Sequence, residues 1–109
     1  MDERGLRGML GISVRAGKAS FGMDGCLKAV REKTAGVLVA DEALSGPSLE
    51  KYSRACREHG VPLVLAPEGL VAEATGRPAM AVAVTDAGLA KQVLTRAGGT
   101  DPQDTIIRK

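Results

Sequence analysis

The spacing of apolar residues along this chain changes period several times, and each change marks an element. Residues 3–16 place Leu6, Met9, Leu10 and Ser13 on one stripe, with Ile12 and Val14 as further apolar positions, a spacing that predicts a helix. Gly5, Gly8 and Gly11 lie inside it, each costing roughly 1 kcal/mol relative to alanine. Such a helix must lean on packing, and its bare backbone lets a neighbour approach closely. Gly17 suits the helix end, where Arg15 and Lys18 complement the negative pole of the dipole. Residues 19–21 are enough for a short strand. Residues 22–33 return to helical period, with Met23, Cys26, Leu27 and Val30 inward and Asp24, Lys28 and Arg31 outward.

A continuous apolar run follows at 36–40, the signature of a strand covered on both faces. Residues 41–45 read as a turn. Gly46 as N-cap and Pro47 as first helical residue open a third helix, with Leu49, Tyr52 and Cys56 inside and Gly60 at its stop. Residues 61–66 form the next strand, with Pro62 at its start, where a missing N–H is tolerated. Pro67 opens a short helix through Thr75 that Gly76 closes, and 78–84 lead into another strand. Thr85 caps a last helix from Asp86 to about residue 97, with Leu89, Val93 and Leu94 as its apolar positions. Helix and strand alternate four times before a closing helix. That order, with doubly buried strands, predicts the α/β class and a three-layer α/β/α sandwich. A single domain over residues 1–97 is expected, followed by a polar, mobile tail at 98–109.

Composition narrows the function classes. Apolar residues make up 44% of the 109, enough for one core. Tyr52 and Phe21 are the only aromatics, which argues against an aromatic platform for single-stranded nucleic acid. The net charge of +2 is unevenly spread: residues 1–33 carry seven Lys/Arg against four Asp/Glu (+3), 34–90 four against seven (−3), and 91–109 four against two (+2). Cys26 and Cys56 lack metal or redox spacing and fall on apolar helix faces, as buried reduced thiols do. There is no basic-then-apolar leader and no run long enough to cross a bilayer, so a cytoplasmic protein without membrane contact is expected.

The candidate chemistry is equally selective. Gly17-Lys18 suggests a phosphate loop, but Ile12 stands where that motif needs glycine and Ala19 where it needs Ser or Thr. No GxGxxG follows a strand. His59, the only histidine, sits beside Gly60 at a helix end and has no partners at catalytic spacing. Glu68 and Glu73 alone do not make an acid–base pair. No metal-ligand set, cofactor motif or catalytic constellation is present, so the chain is expected to be no enzyme and to take no small-molecule substrate. The outward stripe Asp24, Lys28 and Arg31 has two readings. One is a solvated face with an Asp24–Lys28 surface pair. The other is an anion-binding edge, because Gly22 and Gly25 bare the backbone at the helix start while Arg15, Lys18 and Lys33 thicken the charge.

Several motifs together favour the second reading. Arg15-Ala16-Gly17-Lys18, Gly22-x-Asp24-x-x-x-Lys28-Ala29-Val30, the run from Val37 to Ala40, the Gly60-Val61-Pro62 step and Val82-Ala-Val-Thr-Asp-Ala-Gly-Leu-Ala-Lys91 resemble the ribosomal protein L-seven-Ae/L-thirty-e superfamily. The likeness is strongest to its bacterial YlxQ-type branch, and it covers about residues 3–95. It implies a three-layer α/β/α protein with a small mixed four-stranded sheet that binds structured RNA, often kink-turns, in the ribosome or another ribonucleoprotein. In kink-turn binders the second helix opens with Gly-x-Asn-Glu-x-x-Lys. Here Gly22 matches the glycine and Lys28 the lysine, while Asp24 replaces the asparagine and Gly25 the glutamate. The loop that packs on a flipped-out base in such relatives corresponds to residues 74–78, with Thr75, Gly76 and Arg77 at its centre.

Gly25 has no side chain to read a base, and Asp24 accepts but does not donate. The resemblance therefore implies an RNA grip through backbone and shape, carried by Arg15, Lys18, Gly22, Asp24, Gly25, Lys28, Arg31, Thr75, Gly76 and Arg77. The alternative is a protein-interaction module of the same fold that has lost RNA specificity.

Overall fold

Five residues at the centre of the chain, Val37 to Asp41, are buried on both sides, and this strand organises the rest. The computed structural model describes residues 1–98 and the backbone of 106–107. In it α1 (Glu3–Arg15), β1 (Ala19–Phe21), α2 (Gly22–Arg31), β2 (Val37–Asp41), α3 (Gly46–His59), β3 (Leu63–Ala66), α4 (Leu70–Thr75), β4 (Ala81–Val84) and α5 (Ala87–Arg96) follow in the expected order. A two-residue strand, β5 (Ile106–Ile107), adds to the sheet beside β3. The expectation of a mobile tail falls on 98–109, of which 99–105 and 108–109 lie outside the described residues.

The sheet is mixed, in the order β1-β4-β2-β3-β5. β2 and β3 run parallel through the α3 crossover, and β4 lies antiparallel to both β1 and β2. The period of two along each strand sorts side chains onto opposite faces. Val37, Val39, Val64, Val82 and Val84 turn to one face, where Leu6, Leu10, Leu70, Val71 and Val93 of α1, α4 and α5 cover them. Leu38, Ala40, Leu63, Leu65 and Ala83 turn to the other, beneath Cys26, Ala29 and Val30 of α2 and Tyr52 and Cys56 of α3. Three layers result, as the alternation predicted.

Helix starts differ from expectation in instructive ways. Ser45, not Gly46, caps α3, because its hydroxyl accepts from the Ser48 N–H at 3.3 Å. Asp86, not Thr85, caps α5, its carboxylate accepting from the Leu89 N–H at 2.9 Å. α4 starts at Leu70 rather than Pro67, because Gly69 at φ 85° breaks the helical path before it.

One buried carboxylate shapes the loops. Asp41 accepts from the Ala43 N–H at 2.7 Å and the Gly69 N–H at 2.9 Å, so it ties the loop before α3 to the loop before α4. The sequence showed only a turn there.

Candidate nucleic-acid interface

β1 is the axis of the candidate site. Among the described residues it pairs with β4 alone, so its other edge is free of a strand partner there. α2 folds back along it, the Cys26 thiol donating to the Ser20 carbonyl at 3.4 Å. Lys18 stands at the start of β1, roughly 10 Å of extended chain from Phe21. Its backbone is fixed, the N–H donating to the Ser13 carbonyl and the carbonyl accepting from the Thr85 N–H, while the residue is exposed.

On the α4 side of this edge the main contact joins two segments distant in sequence. The Arg77 guanidinium lies over the Phe21 ring, 4.4 Å from its centroid. Phe21 packs against the valine-face core, so the arginine is stacked on a ring that is itself held. This stack brings the 74–78 loop to the start of α2. Gly76, at φ 70°, closes α4 and turns the chain toward Arg77. Thr75 departs from the expected site: it is buried, and its hydroxyl donates to the Val71 carbonyl at 2.8 Å, so the side chain serves the core. Arg15 folds back over Gly11. A Cβ added at Gly11 would lie 3.3 Å from Arg15 Nη1 and 3.5 Å from the Ala74 carbonyl oxygen.

On the α2 side the outward stripe is exposed as expected: Asp24, Lys28 and Arg31 all face solvent. Gly22 takes φ 77°, which lets the strand turn directly into the helix. Phe21 occupies the N-cap and offers no side-chain bond to the first turn, leaving its N–H groups without a side-chain acceptor. The expected Asp24–Lys28 surface pair does not form. The ion pairs among the described residues are Arg7–Glu73, Glu50–Arg54, Glu50–Arg57 and Asp2–Arg96, and none involves α2.

Gly25 has open space around it, the nearest atom to an added Cβ being the Ser20 Cβ at 3.9 Å. Beside it an open groove of about 220 Å³ runs between β1 and α2, lined by Ser20, Gly25, Lys28, Ala29, Glu32 and Thr34. Sequence reasoning named Gly25 and Lys28 but missed Ser20, Glu32 and Thr34, because the groove exists only once α2 lies against β1. It also treated Phe21 as a strand residue only.

No family model matches the chain, and no curated protein matches it in sequence. Solved structures do match. A protein of unknown function from Bacillus halodurans superposes with a TM-score of 0.81 over 85% of this chain and 96% of its own, at 18% identity. An RNA-binding protein of 15.5 kD from Giardia lamblia superposes with a TM-score of 0.72 over 87% of this chain and 83% of its own, also at 18% identity. These likenesses establish the fold that the alternation predicted.

Among the described residues no helix is long and apolar enough to cross a membrane, and no group of three or more His, Cys, Asp or Glu is placed to hold a metal ion. The cysteine thiols are buried in the α2–α3 layer. Burial pushes Cys26 up to about 11 and Cys56 up to about 12, with the charge of Cys26 adding to the rise at Cys56. Neither is a ready nucleophile.

Proposed function

We propose that this chain is a non-enzymatic, cytoplasmic RNA-binding protein that grips structured RNA along the free edge of β1. The observation that carries the reading is the Arg77–Phe21 stack, because it joins the two segments that the family resemblance assigns to RNA. Arg77 stands over Phe21 at one end of the edge, Lys28 and Arg31 lie on α2, Lys18 stands at its foot, and Arg15 lies near Gly11 on the α1–α4 side. The exposed N–H groups of the first turn of α2 add a fixed positive end for phosphate. The RNA-binding Giardia protein of the same fold supports the partner class. Membership of the YlxQ-type branch and work within the ribosome or another ribonucleoprotein belong to this reading.

Asp24 and Gly25 favour contact through backbone and shape over the base-reading mode of kink-turn binders. They also motivate the second reading, a protein-interaction module. Binding to a kink-turn RNA, a simple hairpin and duplex DNA across a salt series tests both. The expected result is similar affinity for the two RNAs, falling steeply with salt, and weaker binding after Lys18→Ala with Lys28→Ala. Affinities untouched by that double change reject the site. Partners captured from lysate that survive RNase support the protein module instead.

A further inference from the structure

The groove between β1 and α2 has a donor and acceptor pattern of its own. Lys28 and Glu32 stand one helical turn apart, roughly 6 Å along the axis, and both are exposed. Among the described residues they form no ion pair with each other or with any neighbour. Glu32 continues the helical path as the C-cap, its N–H donating to the Lys28 carbonyl at 2.9 Å. The Thr34 hydroxyl spends its proton on the Ala29 carbonyl at 3.2 Å, so toward the groove its oxygen accepts only. The Ser20 carbonyl is engaged by the Cys26 thiol.

The groove thus offers one strong cationic donor at one end and a set of acceptors at the other. A bare phosphate satisfies Lys28 but is repelled by Glu32. A ribose with its 3′-phosphate satisfies both, since the 2′-hydroxyl is a donor vicinal to the phosphate. Resting on the RNA-binding reading above, we infer that this groove is a ribose–phosphate clamp in which Lys28 takes the phosphate while Glu32 and Thr34 accept from the 2′-hydroxyl, so that the edge of β1 selects RNA over DNA. Glu32 acts twice: it rewards the hydroxyl and penalises a strand that lacks it. Gly25 contributes by absence, because a longer side chain on the floor would fill the space that the sugar takes.

The test is a single-position 2′-deoxy scan of a simple RNA hairpin, which keeps the A-form duplex and removes one hydroxyl at a time. Wild-type protein is expected to lose on the order of tenfold in affinity at one position and little elsewhere, an effect at the low end of one hydrogen bond to a charged group. In Glu32→Ala that position-specific loss should shrink to under about twofold, in Glu32→Gln it should shrink only partway because the amide oxygen still accepts, and in both variants binding of the all-deoxy hairpin improves. A scan that is flat in wild type, or one whose profile is the same in both variants, overturns the clamp and leaves RNA binding standing. Absence of any binding to the unmodified hairpin overturns both.

Discussion

Helices α2 and α3 lie side by side on one face of the sheet and treat their polar groups in opposite ways. α3 is closed at both ends, by the Ser45 hydroxyl at its start and by Gly60 at φ 68° at its stop, with Pro47 preset in its first turn. Its Glu50 pairs with Arg54 at 3.6 Å and with Arg57 at 3.8 Å. α2 starts without a side-chain cap, carries Gly22 and Gly25 in its first turn, and among the described residues leaves Asp24, Lys28, Arg31 and Glu32 outside any ion pair. Surface pairs contribute little to stability, so the contrast is one of availability rather than strength. α3 pairs Glu50, Arg54 and Arg57 with one another, whereas among the described residues the charges of α2 have no such partners.

The comparison can be broken at its shared base. Leu38 lies under both helices and is fully buried, so Leu38→Ala is expected to cost about 2–5 kcal/mol in denaturant unfolding and to raise amide exchange in α2 and α3 together. Exchange that rises in only one helix would mean that they do not share one core. The next effect separates them. Lys28→Ala with Arg31→Ala should weaken RNA binding on the order of tenfold near 0.1 M salt and flatten the salt dependence. Arg54→Ala with Arg57→Ala, an equal loss of charge on α3, should change it by less than about twofold.

The thiols and phenol between the helices give a pH signature. Burial, and for Tyr52 and Cys56 also the charge of Cys26, holds these groups neutral, with Cys26 up to about 11 and Tyr52 and Cys56 up to about 12. An unfolded thiol titrates near about 8.5. Because the folded values are higher, stability should be level up to about pH 8 and then fall as pH rises toward 11–12, measured by urea unfolding. Cys56→Ala should soften that fall, and neither thiol of the native protein should react promptly with Ellman's reagent at pH 7.5.

The two smallest effects have opposite signs. Ser45→Ala should cost α3 about 1 kcal/mol by removing its cap. Gly25→Ala should stabilise by about 0.5–1 kcal/mol, since the added Cβ meets only the Ser20 Cβ at 3.9 Å. A stabilising alanine in the first turn of α2, read from thermal unfolding, would show that this turn is not optimised for folding.

Much of the fold was legible because apolar period and Gly/Pro punctuation are local signals, and the order of helices and strands follows from them. Cap identities slipped by one residue at Ser45 and Asp86, where two adjacent residues both suit the cap and only the direction of a hydroxyl or carboxylate decides. The outward stripe of α2 was legible from its register. The Arg77–Phe21 stack, the bracing by Asp41 and the groove floor at Gly25 were not, because each depends on segments that only the folded sheet brings together. The buried hydroxyl of Thr75 shows the same limit in reverse: adjacency to Gly76 and Arg77 in sequence did not put its side chain on their surface.

Gly11 sets a mechanical tolerance. It lies where the α1 backbone meets the end of α4: an added methyl would come 3.3 Å from Arg15 Nη1, a tight contact, and 3.5 Å from the Ala74 carbonyl oxygen, an ordinary one. A methyl there would displace the flexible guanidinium by a few tenths of an ångström and leave the root of the 74–78 loop in place. The lie of the Arg15 side chain is therefore set in part from inside the molecule. A change at this buried position would shift one exposed cation without altering the charge of the protein.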